Sequence, residues 1–229
     1  MLTIAEELLL LALDDDEGKI ISSHWGPVLV HPILERGLIG AILVDLAVRG
    51  RLELQQGQLV VTDPSPTGVA LLDETLDIVR RSETQRPPQG WIKELGRDDQ
   101  ALEKRLLDGL VQQGILRQEE GRFLWVFRTR SHPTEDEGPE RSVRERVSAF
   151  LGGDPPDPRT LLLVRLVAAC KLVELIAAPG GTEEAEARIQ ACREDADAAS
   201  VVAAATTKQI EEDLEIVLLG TVAGAAAVT

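Results

Sequence analysis

The feature that most restricts the fold of this chain is a helix–glycine–hairpin pattern that occurs twice. Leu38 to Val48 reads as a strongly apolar helix, followed by Arg49-Gly50-Arg51, a short strand, a turn at Gly57 and a second strand over Gln58–Thr62. A shift of 64 positions carries Leu43 onto Leu107, Leu46 onto Leu110, Gly50 onto Gly114, Leu52 onto Leu116 and Gly57 onto Gly121. The second copy therefore reads as a helix over Ala101–Gln113, a glycine stop at Gly114, and two strands joined at Glu119–Glu120–Gly121. Helix followed by hairpin is the local grammar of winged-helix modules. Leucine and glycine are common, so coincidence is the competing explanation.

The second copy carries the rings. Phe123, Trp125 and Phe127 recur at a spacing of two, which on one strand projects all three from one face. The chain has only six aromatic side chains, three Trp and three Phe, so half of them gather here. Such a ribbon either fills a core or forms a contact surface.

The remaining elements are mostly helices. Thr3 to Leu13 opens with a capping box, Thr3 against Glu6, and its apolar content exceeds one stripe, which predicts near-complete burial. Asp14–Gly18 reads as a solvated acidic turn, because the alternating ligands of a calcium loop are absent. Lys19–Glu35 reads as an irregular loop holding His24, Trp25, His31 and two prolines. Thr67–Arg81 is a helix, Ser82–Gln89 a polar connector, and Trp91 and Ile92 anchor a short helix ending at Leu95. Ser131–Arg141 reads as a polar loop and Ser142–Leu151 as a short helix. Arg159–Ala178, Thr182–Asp195 and Ala198–Gly220 complete a helical last third.

Composition excludes several classes. A net charge of −15 over 229 residues opposes general nucleic-acid binding, which needs a basic footprint to displace phosphate counterions. Cys170 and Cys192 lie in helical, alanine-rich surroundings and read as thiols rather than a disulfide. The apolar run Leu8–Leu13 follows two glutamates instead of a basic region, so no signal peptide is read. The run Leu161–Ala178 is interrupted by Arg165, Lys171 and Glu174, so no spanning helix is read. These features predict a cytoplasmic location. No phosphate loop, dinucleotide fingerprint, nucleophile elbow or zinc-helix motif occurs, and the three histidines lack metal-ligand spacing. No enzyme, cofactor or metal is expected.

An ordered series of segments resembles the Golgi phosphoprotein 3 family. It comprises the first helix, Leu46-Ala47-Val48-Arg49-Gly50-Arg51-Leu52-Glu53-Leu54, then Pro66-Thr67-Gly68 with Leu71-Leu72-Asp73-Glu74, then Trp91-Ile92, Leu110 to Leu116, and His132-Pro133. The arginine-over-lysine and alanine bias resembles a bacterial member. The resemblance implies a mainly α fold, a compact multi-helix globular domain with winged-helix-like helix–hairpin units and a protruding aromatic β-hairpin. It implies one domain over residues 1–229, with the hairpin at 115–128 and C-terminal helices at 159–229. It also implies peripheral membrane binding through phosphatidylinositol 4-phosphate and, in eukaryotic members, an adaptor role.

In those members a loop tryptophan, an arginine before the second apolar helix and two arginines ahead of the hairpin help hold the headgroup. Here the arginine positions are Ile39, Gln100 and Glu103. Trp25, Arg36, Lys104 and Arg105 are the nearby residues expected to contact lipid, and Phe123, Trp125 and Phe127 to meet membrane or a second subunit. A doubly charged headgroup needs charge-assisted donors, so weak or altered phosphoinositide recognition is expected, with a phosphoinositide or another anionic phospholipid as ligand. The competing readings are a protein–protein contact giving a homo-oligomer or adaptor, and a winged-helix DNA regulator. The lack of a basic recognition helix over Ala101–Gln113 disfavours the last.

Overall fold

A computed structural model of the chain describes residues 1–14, 19–21, 27–123, 127–192 and 201–208. The structure is mainly helical, as the sequence predicts, and its centre is the first helix, α1 (Ile4–Ala12). All nine residues of α1 are buried, including Glu6 and Glu7. Leu8, Leu9, Leu10 and Leu11 are each at most 2% exposed; a fully buried leucine is worth about 2 kcal/mol in transfer free energy. No single stripe on one partner covers such a helix. It packs against α2 (Pro27–Val48), α5 (Asp99–Gln112), α6 (Glu137–Leu151) and α7 (Pro158–Ala169).

Polar contacts concentrate at the N-terminus of α1, where the helix dipole favours anions. The expected capping box is present: Glu6 N–H donates to Thr3 Oγ1 at 3.1 Å, and Thr3 N–H donates to Glu6 Oε2 at 2.6 Å. Glu6 Oε1 also accepts from Gln113 Nε2 at 2.7 Å. Asp45 of α2, fully buried, accepts from Ile4 N–H at 2.8 Å and from Arg49 Nε at 2.8 Å. Glu7, 4% exposed, accepts from Arg146 of α6 at 2.9 Å and from Arg159 of α7 at 3.1 Å. Three carboxylates thus join α1 to four other parts of the chain.

The apolar helix expected at Leu38–Val48 is the second half of α2. Its first half corrects the reading of Lys19–Glu35 as irregular, since the helix begins at Pro27 and runs through Pro32. Pro27 occupies the first helical position, where its fixed φ suits the helix and no N–H is needed. Pro32 removes one ladder bond, but packing against α1, α5 and α7 keeps the element together. At Gly37 the α2 backbone lies so close to α7 that an added Cβ would stand 2.4 Å from Cys170 Sγ. Cys170 is a buried free thiol whose pKa burial pushes up to about 12.

The two helix–hairpin units are real and end their helices identically. In the first, Gly50 (φ 67°) donates to Ala47 O and Arg51 N–H to Leu46 O. In the second, Gly114 (φ 72°) donates to Val111 O and Ile115 N–H to Leu110 O. Both are Schellman caps, and their atoms correspond under the shift of 64. The first unit continues into β1 (Leu52–Gln55) and β2 (Gln58–Val61), the second into β3 (Glu119–Phe123) and β4 (Phe127–Ser131). Between them lie α3 (Ala70–Arg81) and α4 (Pro88–Leu95), the latter anchored by buried Trp91 and Ile92.

Several boundaries differ from expectation. α3 starts at Ala70 because Asp73 accepts from both the N–H and the hydroxyl of Thr67, holding Thr67-Gly68 outside the helix. α6 starts at Glu137, capped by Asp136, where the sequence reads as loop to Arg141. The predicted helix Arg159–Ala178 breaks after Ala169; Lys171 takes φ 55° and a 3-10 turn follows over Val173–Leu175. α8 (Thr182–Ala191) and a helical stretch over 201–208 close the described chain.

Removing the charge that α1 presents to two arginines, by Glu7→Ala, is expected to lower the unfolding free energy by about 2 kcal/mol, because the half-buried guanidiniums of Arg146 and Arg159 lose a buried carboxylate partner. Denaturant unfolding measures it. Gly37→Ala is expected to cost about 1–3 kcal/mol through overpacking against Cys170, and Gly37→Ala combined with Cys170→Ala to recover part of that loss.

Candidate functional site

The second hairpin is set by pairing at its base. Leu116 bridges Thr134, and Arg117 N–H donates to Pro133 O at 3.0 Å. The ladder continues through Glu119↔Ser131 and Gly121↔Thr129 to Phe123↔Phe127, and Leu116↔Thr134 belongs to the same register. With that register fixed, the reversal falls between Phe123 and Phe127. This corrects the expected turn at Glu119–Glu120–Gly121, which lies inside β3. It also corrects the placement of the rings on one strand, since Phe123 ends β3 and Phe127 begins β4. Trp125 lies outside the described residues. The first hairpin reverses at Gln56-Gly57, four to five residues nearer its base, so the second reaches about 15 Å further at ~3.3 Å per residue.

Charge is graded along this ribbon. At the base, Arg117 Nε donates to Glu119 Oε1 at 2.8 Å, and its Nη1 reaches Glu135 at 3.4 Å. These carboxylates, Glu119 first, raise the Arg117 pKa. Further out the register sets Arg130 opposite Glu120, and beside the reversal it sets Arg122 opposite Arg128. An open groove of about 670 Å³ lies between the hairpin base and α6. Its arginines are matched by glutamates, Arg141 with Glu137 and Arg144 with Glu140, so its charge is balanced.

The residues expected to hold a headgroup are only partly gathered. Trp25 lies outside the described residues. Arg36, on α2, folds back to donate to Pro32 O at 3.1 Å. Lys104 pairs along its own helix with Asp108 at 3.6 Å. Arg105 leaves α5 toward α3 and pairs with Glu74. Residues two apart on a helix point about 200° apart, and Glu103 accordingly faces the other way, with Oε2 3.1 Å from His31 Nδ1 of α2. The structure therefore joins α2 to α5 through His31 and Glu103, a pair 72 positions apart with no local signal in the sequence. Ile39 is 1% exposed and packs near Gly96, so that position belongs to the core.

The ordered motifs, the paired helix–hairpin units and the long second hairpin converge with comparison to known proteins, where the description Golgi phosphoprotein 3 (GPP34) matches residues 4–212. The chain belongs to the Golgi phosphoprotein 3 family. It is also similar to vacuolar protein sorting-associated protein 74 of Schizosaccharomyces pombe, 31% identical over 170 residues, which is 66% of this chain and 48% of that relative. The chain spans about half the length of the curated relative it matches. Among the described residues no helix is long and apolar enough to cross a membrane. In this chain Ile39 is a core residue and Glu103 a paired carboxylate.

Ile39→Arg is expected to destabilise the fold by at least ~3 kcal/mol, since it buries a charge without a partner. Glu103→Arg loses only a half-exposed contact and is expected to change stability by less than about 1 kcal/mol. Thermal and denaturant unfolding of the two variants check the contrast.

Proposed function

We propose that this chain is a peripheral membrane protein, a Golgi phosphoprotein 3-like adaptor that binds anionic phospholipid through the second hairpin. In this reading residues 1–229 act as one domain, with the hairpin at 115–128 as its projecting part. Phe123, Trp125 and Phe127 enter the interfacial layer, where aromatic side chains favour the boundary between headgroup and acyl chain. Arg122 and Arg128 meet the headgroup phosphates. The observation that carries the reading is the register, which places two arginines opposite each other next to a Phe–Phe pair at the far end of the ribbon. The basic residues Arg36, Lys104 and Arg105, with Trp25, form a secondary contact that adds general attraction.

Stereospecific capture of phosphatidylinositol 4-phosphate is not part of the proposal. Glu103 presents negative charge where a headgroup-holding arginine stands in the family, and Ile39 offers no donor. Affinity then follows membrane charge density and falls with salt.

Liposome co-sedimentation tests this. Binding is expected to rise with the fraction of phosphatidylserine or phosphatidylglycerol. It should respond to phosphatidylinositol 4-phosphate only as strongly as the added charge warrants. The double variant Arg122→Gln/Arg128→Gln should weaken binding about 10- to 30-fold, at roughly 1 kcal/mol per basic residue, and Trp125→Ala should reduce it on all charged vesicles. Equal pelleting of wild type and variants would sink the proposal. So would loss of self-association in light scattering without change in vesicle binding, which would make the ribbon an oligomer contact.

A further inference from the structure

A second surface, remote in sequence from the long hairpin, has the chemistry of a peptide receptor. A groove of about 350 Å³ runs between β2, the C-terminal end of α3 and the connector to α4, with Leu59, Val61, Val79 and Trp91 among its walls. One donor lies along it and another is buried behind it. Trp91 is 1% exposed, and its indole Nε1 finds no hydrogen-bond partner among the described residues. Burying such an N–H without an acceptor is costly. The other donor is main chain. Thr62 N–H bonds to Arg51 O, and Leu59 N–H donates outward to Arg86 O at 2.9 Å. Ladder groups alternate in direction along an antiparallel strand, so the N–H of Val61 also points away from β1. The connector covers the edge of β2 at Leu59 and leaves it at Val61, a residue that lines the groove.

The charge of the site is unlike that of the chain. The molecule carries a net −15, yet Arg80 is the one charged residue among those lining the groove, and no carboxylate is among them. Arg80 and Arg81 share the single carboxylate of Asp77, and Arg86 and Arg97 share that of Glu94. Glu83, the connector's carboxylate, is exposed and is not a lining residue. Arg86 also lies 5.0 Å from the centroid of the Trp91 ring, which keeps positive charge over the indole.

We propose that this groove binds an extended peptide segment of a partner protein, placing an aliphatic side chain between β2 and α3 and a carboxylate against Arg80. The segment continues the line that Arg86 begins along β2, as in strand addition to a sheet edge. One of its main-chain carbonyls accepts from Val61 N–H, and the Trp91 ring forms part of the wall it packs against. The aliphatic walls select side chains of valine or isoleucine size, and the residual positive charge selects an acidic neighbour over a basic one.

The test uses the full chain with 15N-labelled tryptophan and two capped probe peptides, Ser-Val-Ile-Val-Asp and Ser-Val-Ile-Val-Lys. Trp91→Phe assigns the indole signal. The aspartate peptide is expected to move that signal saturably, and the lysine peptide to bind at least ~10-fold more weakly, a difference of ~1.4 kcal/mol. Val61→Pro removes the outward N–H at an edge position where proline is tolerated, and is expected to weaken binding by a similar factor with an unchanged melting temperature. If Val61→Pro lowers the melting temperature, Arg80→Glu decides, because it leaves the main chain untouched and should abolish the preference for aspartate. An unmoved Trp91 signal, equal response to both peptides, or insensitivity to Arg80→Glu overturns the proposal. Movement of the signal by decanoate and not by peptide overturns it in favour of an acyl carboxylate.

Discussion

Everything in this fold leans on a short helix that has no solvent face. α1 offers apolar side chains in all directions, so α2, α5, α6 and α7 are arranged around it rather than along it. A helix buried all round has no polar side to fix its rotation or depth. The three carboxylates at its N-terminus supply that constraint. Glu6 reaches the end of the helix before the long hairpin, Glu7 reaches α6 and α7, and Asp45 brings α2 to the first backbone N–H. Each lies within the dipole's favourable range for anions. The apolar residues drive burial and the carboxylates select one packing among many.

Much of this was legible in the sequence where the cause is local. The Thr3–Glu6 cap is a pattern of four residues, and the two glycine stops are dictated by a positive φ that β-carbons oppose. What was not legible depends on partners distant in the chain. Pro27 and Pro32 look like loop residues because prolines usually break helices; only the packing of α2 against its neighbours shows otherwise. Glu-Glu-Gly resembles a reversal, whereas the register of the long hairpin is imposed from Leu116 and Thr134. His31 and Glu103 meet across two helices, and no spacing rule announces such a pair. Ile39 could be recognised as apolar but not as core.

The outward parts of the molecule divide the work of recognition by charge. In an acidic chain, two places gather arginines: the register of the long hairpin sets Arg122 opposite Arg128, and at the groove beside β2 two arginine pairs each share one carboxylate. Between the hairpin base and α6, arginines are matched by carboxylates. The repeated unit thus has two outcomes. The copy with the short hairpin is folded back against α3, and its second strand lines a groove. The copy with the long hairpin extends away from the helices that support it.

The way the long hairpin is anchored has a consequence for how it can change over time. Its pairing is decided at the bottom of the ladder, so gain or loss of one residue from each strand changes the reach by a single step of about 3.3 Å and leaves the lower pairs undisturbed. An unmatched insertion in one strand is different. It would turn every outer residue to the opposite face of the ribbon, because the strand period is two. Length is therefore a quantity this architecture tunes in matched steps, and depth of contact can drift between relatives while the body stays the same.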